Sequence, residues 1–197
     1  MISYDIARGI LRPLLGTIWR MRVFGRENVP LNGPLIVACN HISYLDPPAL
    51  GTACPRRVRY MAKKELFAIP VLGTMIRSFG AYPVDRTGTP MAAIRRSVEV
   101  LRDGGCIGIF PEGTRNLSGS EEVRQGVALL ASLARAPVIP ACVYGGDRAN
   151  RLHQIKVAFG KPIALPTSRK ATREDLAKFT EQVMGEIRSL AEKLGGN

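Results

Sequence analysis

The sequence of 197 residues has few aromatic residues and no long apolar run. Phe, Trp and Tyr together make up only 6% of the chain, which argues against a protein that stacks on nucleic-acid bases. No segment approaches the roughly 20 consecutive apolar residues of a membrane-spanning helix. Arg8, Arg12 and Arg20 interrupt the segment where a signal peptide would lie. We therefore expect a protein that does not span a membrane.

The sequence also lacks the common motifs of covalent, nucleotide and metal chemistry. It contains no G-x-S-x-G elbow, no phosphate-binding G-x-x-x-x-G-K loop, no G-x-G-x-x-G and no zinc-like spacing of His and Cys. No cysteine pair has the form C-x-x-C, and three of the four cysteines lie in apolar runs, which predicts buried thiols in a reducing compartment. The cysteines are Cys39, Cys54, Cys106 and Cys142.

Acidic residues are scarce relative to basic ones. Asp and Glu number 16 against 28 Lys and Arg, so the formal net charge is +12. Such an excess attracts anions, which include nucleic acid, anionic lipid and phosphorylated metabolites. Hydrophobic residues make up 46% and charged residues 22%, the balance of an ordinary globular protein, and the length suits one domain with its own core.

Short apolar runs alternate with helical patterns along the chain, which predicts a single α/β domain. We expect a mixed, mostly parallel central sheet that is flanked by helices. The predicted strands are residues 35–39, 58–62, 81–84, 106–110, 138–143 and 154–159. The predicted helices are residues 91–102, 121–135 and 173–194, and Thr172 is expected to cap the last of these together with Asp175.

Residues 1–24 are predicted to form an N-terminal amphipathic helical segment, and residues 25–197 the α/β domain. Pro13 is expected to kink this helix or to begin a second one. The helix either packs against the domain or lies in a membrane interface, with arginines toward anionic headgroups and Trp19 at the boundary. A basic cluster at residues 56–64 would strengthen that attraction. The apolar side comprises Ile6, Ile10, Leu14, Ile18 and Met21, and the basic residues are Arg8, Arg12, Arg20 and Arg22.

Ionisable residues directly follow three predicted strands, at the place where sites of α/β sheets collect. His41 and Asp46 follow the first of them. A continuous helix would splay the two side chains by about 140°, whereas a turn after the strand brings them together. A carboxylate on one imidazole nitrogen fixes the tautomer, and the other nitrogen can take a proton from a hydroxyl. The alternative is a histidine that caps the next helix or is satisfied in the core.

Two arginines follow the other strand ends. Arg86 follows the strand at 81–84, and Arg115 follows the strand at 106–110. A guanidinium bonds phosphate oxygens in bidentate fashion, and the Gly113-Thr114 backbone can approach an anion closely. Either arginine alone would be taken as a solvated charge, but together they predict a phosphate site. Since no covalent nucleophile is recognisable, the substrate is expected to supply the attacking hydroxyl.

Four blocks of the sequence resemble those of the glycerolipid acyltransferases, in the same order and with matching spacing. Asn40-His41 and Asp46 match the N-H-x-x-x-x-D motif of that family. The second, third and fourth blocks are GAYPVDR at 80–86, FPEGTRN at 110–116 and VIP at 138–140. Residues 61–67 are similar to a segment common in the bacterial 1-acyl-glycerol-3-phosphate O-acyltransferases.

The resemblance implies transfer of a fatty acyl group to the free sn-2 hydroxyl of 1-acyl-glycerol 3-phosphate (lysophosphatidic acid), which gives phosphatidic acid. The donor would be acyl-CoA or acyl carrier protein, and no other cofactor and no metal are implied. His41 would be the general base, and Asp46 would orient it. The enzyme would lie on the cytoplasmic face of the cell membrane. The substrate-binding residues implied are Arg86, Glu112, Gly113, Thr114 and Arg115.

Three alternatives stay open at this point. The acceptor could be another lysophospholipid or an amino-acid lipid. A basic nucleic-acid-binding module would explain the charge but leave the His41–Asp46 pair unexplained, and a membrane-binding protein with a decayed site conflicts with the intact blocks. The sequence departs from the family where a Phe-Lys-x-Gly stretch is common, because residues 123–126 read VRQG, so that Arg124 would replace the lysine charge.

Overall fold

The computed structural model describes residues 4–84, 90–111, 121–151, 153–165 and 171–195. In these ranges the strands form one sheet. All neighbouring strands pair in parallel except the last two of the chain, which pair antiparallel. The strands are β1 (Arg22–Phe24), β2 (Leu35–Cys39), β3 (Val58–Lys63), β4 (Tyr82–Val84), β5 (Cys106–Ile109), β6 (Val138–Tyr144) and β7 (Lys156–Phe159). Their order across the sheet is β1-β7-β6-β2-β5-β3-β4.

Continuous apolar runs build the centre of this sheet. Every residue of β2 and β5 is buried, as expected for parallel strands that are covered on both faces. In β5, Gly108 leaves room for the ring of Tyr60 on the neighbouring strand, because a Cβ at position 108 would overlap that ring. The sheet therefore has a buried middle whose five parallel strands, β6, β2, β5, β3 and β4, all end at the same edge.

Helices cover both faces of the sheet. One face packs against the first two helices of the chain, and the other face packs against the last three. The Thr172 backbone N–H donates to the Asp175 carboxylate, and the Asp175 N–H donates to Thr172 Oγ1, which confirms the predicted cap. The helices are α1 (Tyr4–Ile18), α2 (Asp46–Ala53), α3 (Pro70–Ser78), α4 (Pro90–Arg102), α5 (Glu121–Ala134) and α6 (Arg173–Gly195).

The fold class predicted from the sequence is confirmed, and the predicted strands match β2 to β7 to within two residues. The predicted helix over the first 24 residues is too long, because α1 ends at Ile18 and residues 22–24 form β1. This strand pairs with β7, and the Arg22 N–H donates to the Ile155 carbonyl at 3.0 Å. Helices α2 and α3 are not predicted from the sequence. Helix α2 is buried almost throughout, so it lacks an amphipathic pattern, and α3 is short and contains a glycine.

Helix α1 buries some of its apolar residues, which form an inner stripe, and exposes others. Tyr4 and Leu15 point into the domain, where the Tyr4 hydroxyl donates to the Gly51 carbonyl at 3.1 Å. Trp19, expected at a membrane boundary, instead packs against the core, and its indole N–H donates to the Ala149 carbonyl at 2.8 Å. The helix thus packs against the domain, yet a second stripe stays exposed. That outer stripe is Ile6, Ile10, Leu14 and Ile18, which are 57%, 60%, 41% and 40% exposed.

No helix in the described part of the chain is long and apolar enough to cross a membrane, as expected from the sequence. Cys39, Cys54, Cys106 and Cys142 are all buried, which also agrees with the prediction. A hydrogen bond with Cys54, together with burial, raises the pKa of Cys106 well above its usual value, so that thiol stays protonated at neutral pH.

Candidate active site

A histidine and a carboxylate meet just beyond the end of β2. His41 Nδ1 lies 3.1 Å from Asp46 Oδ2, although the two residues are five positions apart in the chain. The chain turns after Cys39 and enters α2 only at Asp46, and this turn brings the two side chains together. The proximity expected from the sequence is therefore confirmed. His41 is partly accessible, with 19% of its side chain exposed, whereas Asp46 is completely buried.

Backbone donors hold the Asp46 carboxylate in place. The N–H groups of Ile42 and Ser43 both donate to Asp46 Oδ2 at 2.7 Å, so that one oxygen contacts two amides and the imidazole. Asp46 is also the first residue of α2, where the helix dipole favours a negative charge. Such contacts fix the orientation of the carboxylate toward the imidazole. Asp46 therefore has the geometry of a group that orients His41.

The other carboxylate oxygen lies against a glycine at the end of β6. A Cβ atom at position 146 would stand 2.8 Å from Asp46 Oδ1 and 3.1 Å from the Ser43 Cβ. Asp46 Oδ1 is buried and has no hydrogen-bond partner among the described residues. The Gly146 backbone thus fills the space behind the carboxylate, and no larger residue fits there without moving it.

The side chain of Asn40 joins the ends of β2 and β6. Its Nδ2 donates to the Val143 carbonyl at 2.9 Å, and its Oδ1 accepts from the Val143 N–H at 2.8 Å. The amide thus pairs with a backbone as a neighbouring strand would. This contact fixes the position of Asn40, where the chain leaves the sheet. His41 is the next residue.

Aromatic rings stack beneath the histidine. The Phe110 ring lies 4.3 Å from the His41 ring at an angle of 27°, and the Tyr60 ring lies 6.0 Å from Phe110 at 11°. Burial raises the pKa of Tyr60 well above its usual value, so the phenol stays neutral and donates to the Pro47 carbonyl at 2.9 Å. The stack holds the imidazole plane, while Asp46 holds its Nδ1 edge.

The other residues predicted for the site lie outside the described part of the chain. They are Arg86, Glu112, Gly113, Thr114 and Arg115, and the side chain of Arg124 also goes undescribed. The strands before them are described: β4 ends at Val84, and Phe110 and Pro111 follow β5. Both strand ends belong to the sheet edge that carries His41. No cluster of three or more potential metal ligands occurs in the described ranges.

Sequence reasoning misses the roles of four residues that shape this site. Asn40 and Phe110 belong to recognised blocks, but nothing in their spacing reveals the backbone pairing or the ring stack. Gly146 gives no periodic signal, and only the pair Gly145-Gly146 directly after an apolar strand marks a close approach. Tyr60 is buried in β3 next to the exposed Arg59, and nothing in the sequence indicates its place under Phe110.

The sequence of the chain is similar to those of known acyltransferases. A family model described as Acyltransferase matches residues 20–144. A 1-acyl-sn-glycerol-3-phosphate acyltransferase of Bacillus subtilis is 31% identical over 97% of this chain and 98% of its own length. One of the same name from Streptococcus pneumoniae is 29% identical over 96% of this chain and 74% of its own.

The fold also has a counterpart among solved structures. The crystal structure of the 1-acyl-sn-glycerophosphate acyltransferase from Thermotoga maritima is similar, with a TM-score of 0.69 and 24% identity. The match covers 100% of this chain and 85% of that one. At this level of identity the likeness concerns the fold, and it agrees with the single α/β domain described above.

Proposed function

The chain belongs to the Acyltransferase family, and from this premise we propose that it acylates the sn-2 hydroxyl of 1-acyl-glycerol 3-phosphate. The acyl donor is a thioester of coenzyme A or of acyl carrier protein, and the product is phosphatidic acid. The observation that carries the proposal is the buried Asp46 carboxylate against His41 Nδ1, at the edge where five parallel strands end. Relatives that bear the name of this reaction support the choice of acceptor.

In the proposed mechanism His41 is the general base. An ionised Asp46 keeps the proton on Nδ1, so that Nε2 is the nitrogen that receives the proton of the substrate hydroxyl. The hydroxyl oxygen attacks the thioester carbonyl carbon, a C–O bond forms and the C–S bond breaks. The thiolate leaves and takes the proton back from Nε2. The enzyme itself forms no covalent bond, so the absence of a recognisable nucleophile in the sequence fits the proposal.

The acceptor's phosphate is assigned to Arg86 and Arg115, with Glu112, Gly113 and Thr114 shaping the same pocket. Their roles come from the family's motifs. The described strand ends support the assignment, because β4 and β5 end at the His41 edge and the arginines follow within a few residues. A guanidinium on each side of a phosphate would fix the glycerol so that its free hydroxyl reaches His41.

We further propose that the protein binds peripherally to the cytoplasmic face of the membrane through α1. Both acceptor and product carry fatty chains, so they reside in a bilayer. The outer stripe of α1 supports the proposal, since its four aliphatic side chains are exposed while the inner stripe anchors the helix to the domain. A net charge of +12 favours anionic headgroups.

An acyl-transfer assay with separate acceptors tests the proposed reaction. We expect transfer to lysophosphatidate with acyl-CoA, acyl carrier protein or both, and far slower transfer to glycerol 3-phosphate and lysophosphatidylcholine. Lysophosphatidylcholine keeps the phosphate but adds a headgroup, so it tests whether the site needs the phosphate monoester. Faster transfer to either competing acceptor would overturn the substrate assignment and leave the reaction type standing.

A further inference from the structure

A second apolar surface lies on α3 and the turn before it. Ile69, Val71 and Met75 are 47%, 84% and 43% exposed, and we call these three residues the α3 surface. The buried residues of α3 are Gly73 and Ser78, neither of which is a large apolar residue. A nine-residue helix that exposes Val71 and Met75 and buries a glycine is oriented for an apolar partner.

The α3 surface is rigidly held. Gly73 packs so closely on the backbone of Phe67 that no Cβ would fit, and its N–H donates to the Ile69 carbonyl at 2.6 Å. The Arg77 guanidinium donates to the Phe67 carbonyl at 3.0 Å and lies over the Phe67 ring at 5.3 Å. Phe67 is itself buried, so these contacts fix the backbone that carries the exposed side chains. A fixed backbone lowers the entropy cost of binding a partner.

The α3 surface belongs to a basic stretch of the sequence. Residues 56–84 contain six basic residues and one acidic residue, Glu65. Arg56 has an internal role, because it donates to the carbonyls of Pro30, Gly33 and Gly104. Arg59, Lys63, Lys64 and Arg77 are exposed. Exposed aliphatic side chains in a stretch with several exposed basic residues fit the boundary between acyl chains and anionic headgroups.

Helix α3 follows the strand β3 that ends at the catalytic edge, and its own end reaches α1. The turn that precedes α3 directly follows β3, which ends at the same edge as β2 and its His41. At the other end of α3, the Phe79 ring meets the Tyr4 ring of α1 at a centroid distance of 6.5 Å. Helices α1 and α3 are therefore neighbours, and each has an exposed apolar stripe.

We propose that the α3 surface is a second contact with an anionic bilayer, separate from α1. The inference rests on the proposed function only in that the acceptor lies in a membrane. An acidic protein partner would match the basic residues but would leave the outer stripe of α1 uncovered. An anionic bilayer offers an apolar interior to both surfaces and anionic headgroups to the exposed basic residues.

Vesicle flotation of the full chain tests the inference. The test variant carries Ile69→Ser and Val71→Ser, and the matched control carries Leu31→Ser and Leu133→Ser, at residues that are 67% and 46% exposed. Vesicles contain equal parts of phosphatidylcholine and phosphatidylglycerol, or phosphatidylcholine alone. We expect the test variant to bind anionic vesicles about tenfold more weakly than the wild type, because two apolar insertions are lost. The control should bind as the wild type does.

Binding to acyl carrier protein and transfer to detergent-dispersed lysophosphatidate are measured on the same variants. Equal binding of wild type, test variant and control to anionic vesicles would overturn the inference. Unchanged vesicle binding with weaker binding to acyl carrier protein in solution would assign the surface to that protein and overturn the inference as well. Transfer to detergent-dispersed lysophosphatidate should stay near the wild-type rate in the test variant. If the wild type itself transferred nothing, the proposed function would fail while flotation still decided the membrane contact.

Discussion

Gly146 lies so close to Asp46 that a Cβ at position 146 would stand 2.8 Å from Oδ1 of that carboxylate. Moving the carboxylate away costs free energy, because its other oxygen is held by the amides of Ile42 and Ser43 and by the imidazole of His41. The glycine at the end of β6 is thus part of what positions the pair.

Gly146→Ala should therefore lower kcat by about tenfold or more, with a small change in the KM for the acceptor. The added methyl displaces Asp46 or Ser43, and the imidazole loses its alignment. Gly145→Ala is the control, because position 145 has φ +83° and a Cβ there meets the Gln154 carbonyl rather than Asp46. Gly145→Ala should lower the melting temperature without a matching loss of kcat. Equal kcat in Gly146→Ala and wild type would contradict the positioning role.

Asn40→Ala should destabilise the protein by about 1–3 kcal/mol, because it leaves the N–H and carbonyl of Val143 without their side-chain partner. Turnover should fall as well, since Asn40 sets where the chain leaves β2 for His41. Urea unfolding and acyl transfer on the same preparation measure the two effects. Asn40→Asp keeps the acceptor but loses the donor, so a stability as low as that of Asn40→Ala would show that the Nδ2–Val143 bond dominates.

Arg86→Ala and Arg115→Ala should each weaken the use of lysophosphatidate while the donor KM changes little. Lysine at either position should rescue poorly, because a point charge cannot copy a bidentate fork. The sharpest comparison uses 1-monoacylglycerol, which lacks the phosphate: the variants should lose activity on lysophosphatidate but not on this acceptor. Equal losses toward donor and acceptor would move these arginines to the donor site.

The outer stripe of α1 should govern vesicle binding. Ile10→Ser combined with Leu14→Ser should reduce flotation with anionic vesicles and slow acylation of bilayer-embedded acceptor, with little change in melting temperature, because both residues are exposed. Leu15→Ser is the contrast, since Leu15 is buried and its substitution should lower the melting temperature. Deletion of residues 1–24 is a poorer test, because it removes Tyr4, Leu15 and the strand β1. Unchanged flotation of the double variant would leave α1 as a packing element alone.

The sequence predicts the sheet well because its central strands are continuous apolar runs that lie between turn residues. For His41 and Asp46 the spacing rules out contact along one continuous helix and allows contact across a turn, but it leaves a capping or core histidine as the alternative. It does not predict β1, whose three residues become a strand only by pairing with β7, far along the chain. Likewise the two stripes of α1 become distinguishable only once Tyr4 and Leu15 find partners on α2 and in the core.

The central claim is that His41 is the general base, and one comparison tests it most directly. The described chain contains a second histidine, His153, which lies beside Tyr144 at a centroid distance of 6.4 Å. His41→Ala should reduce acyl transfer to lysophosphatidate by about 10²–10⁴-fold, whereas His153→Ala should stay near the wild-type rate. Circular dichroism and melting temperature confirm that both variants are folded. A folded His41→Ala protein that kept more than about a tenth of the wild-type turnover would contradict the mechanism.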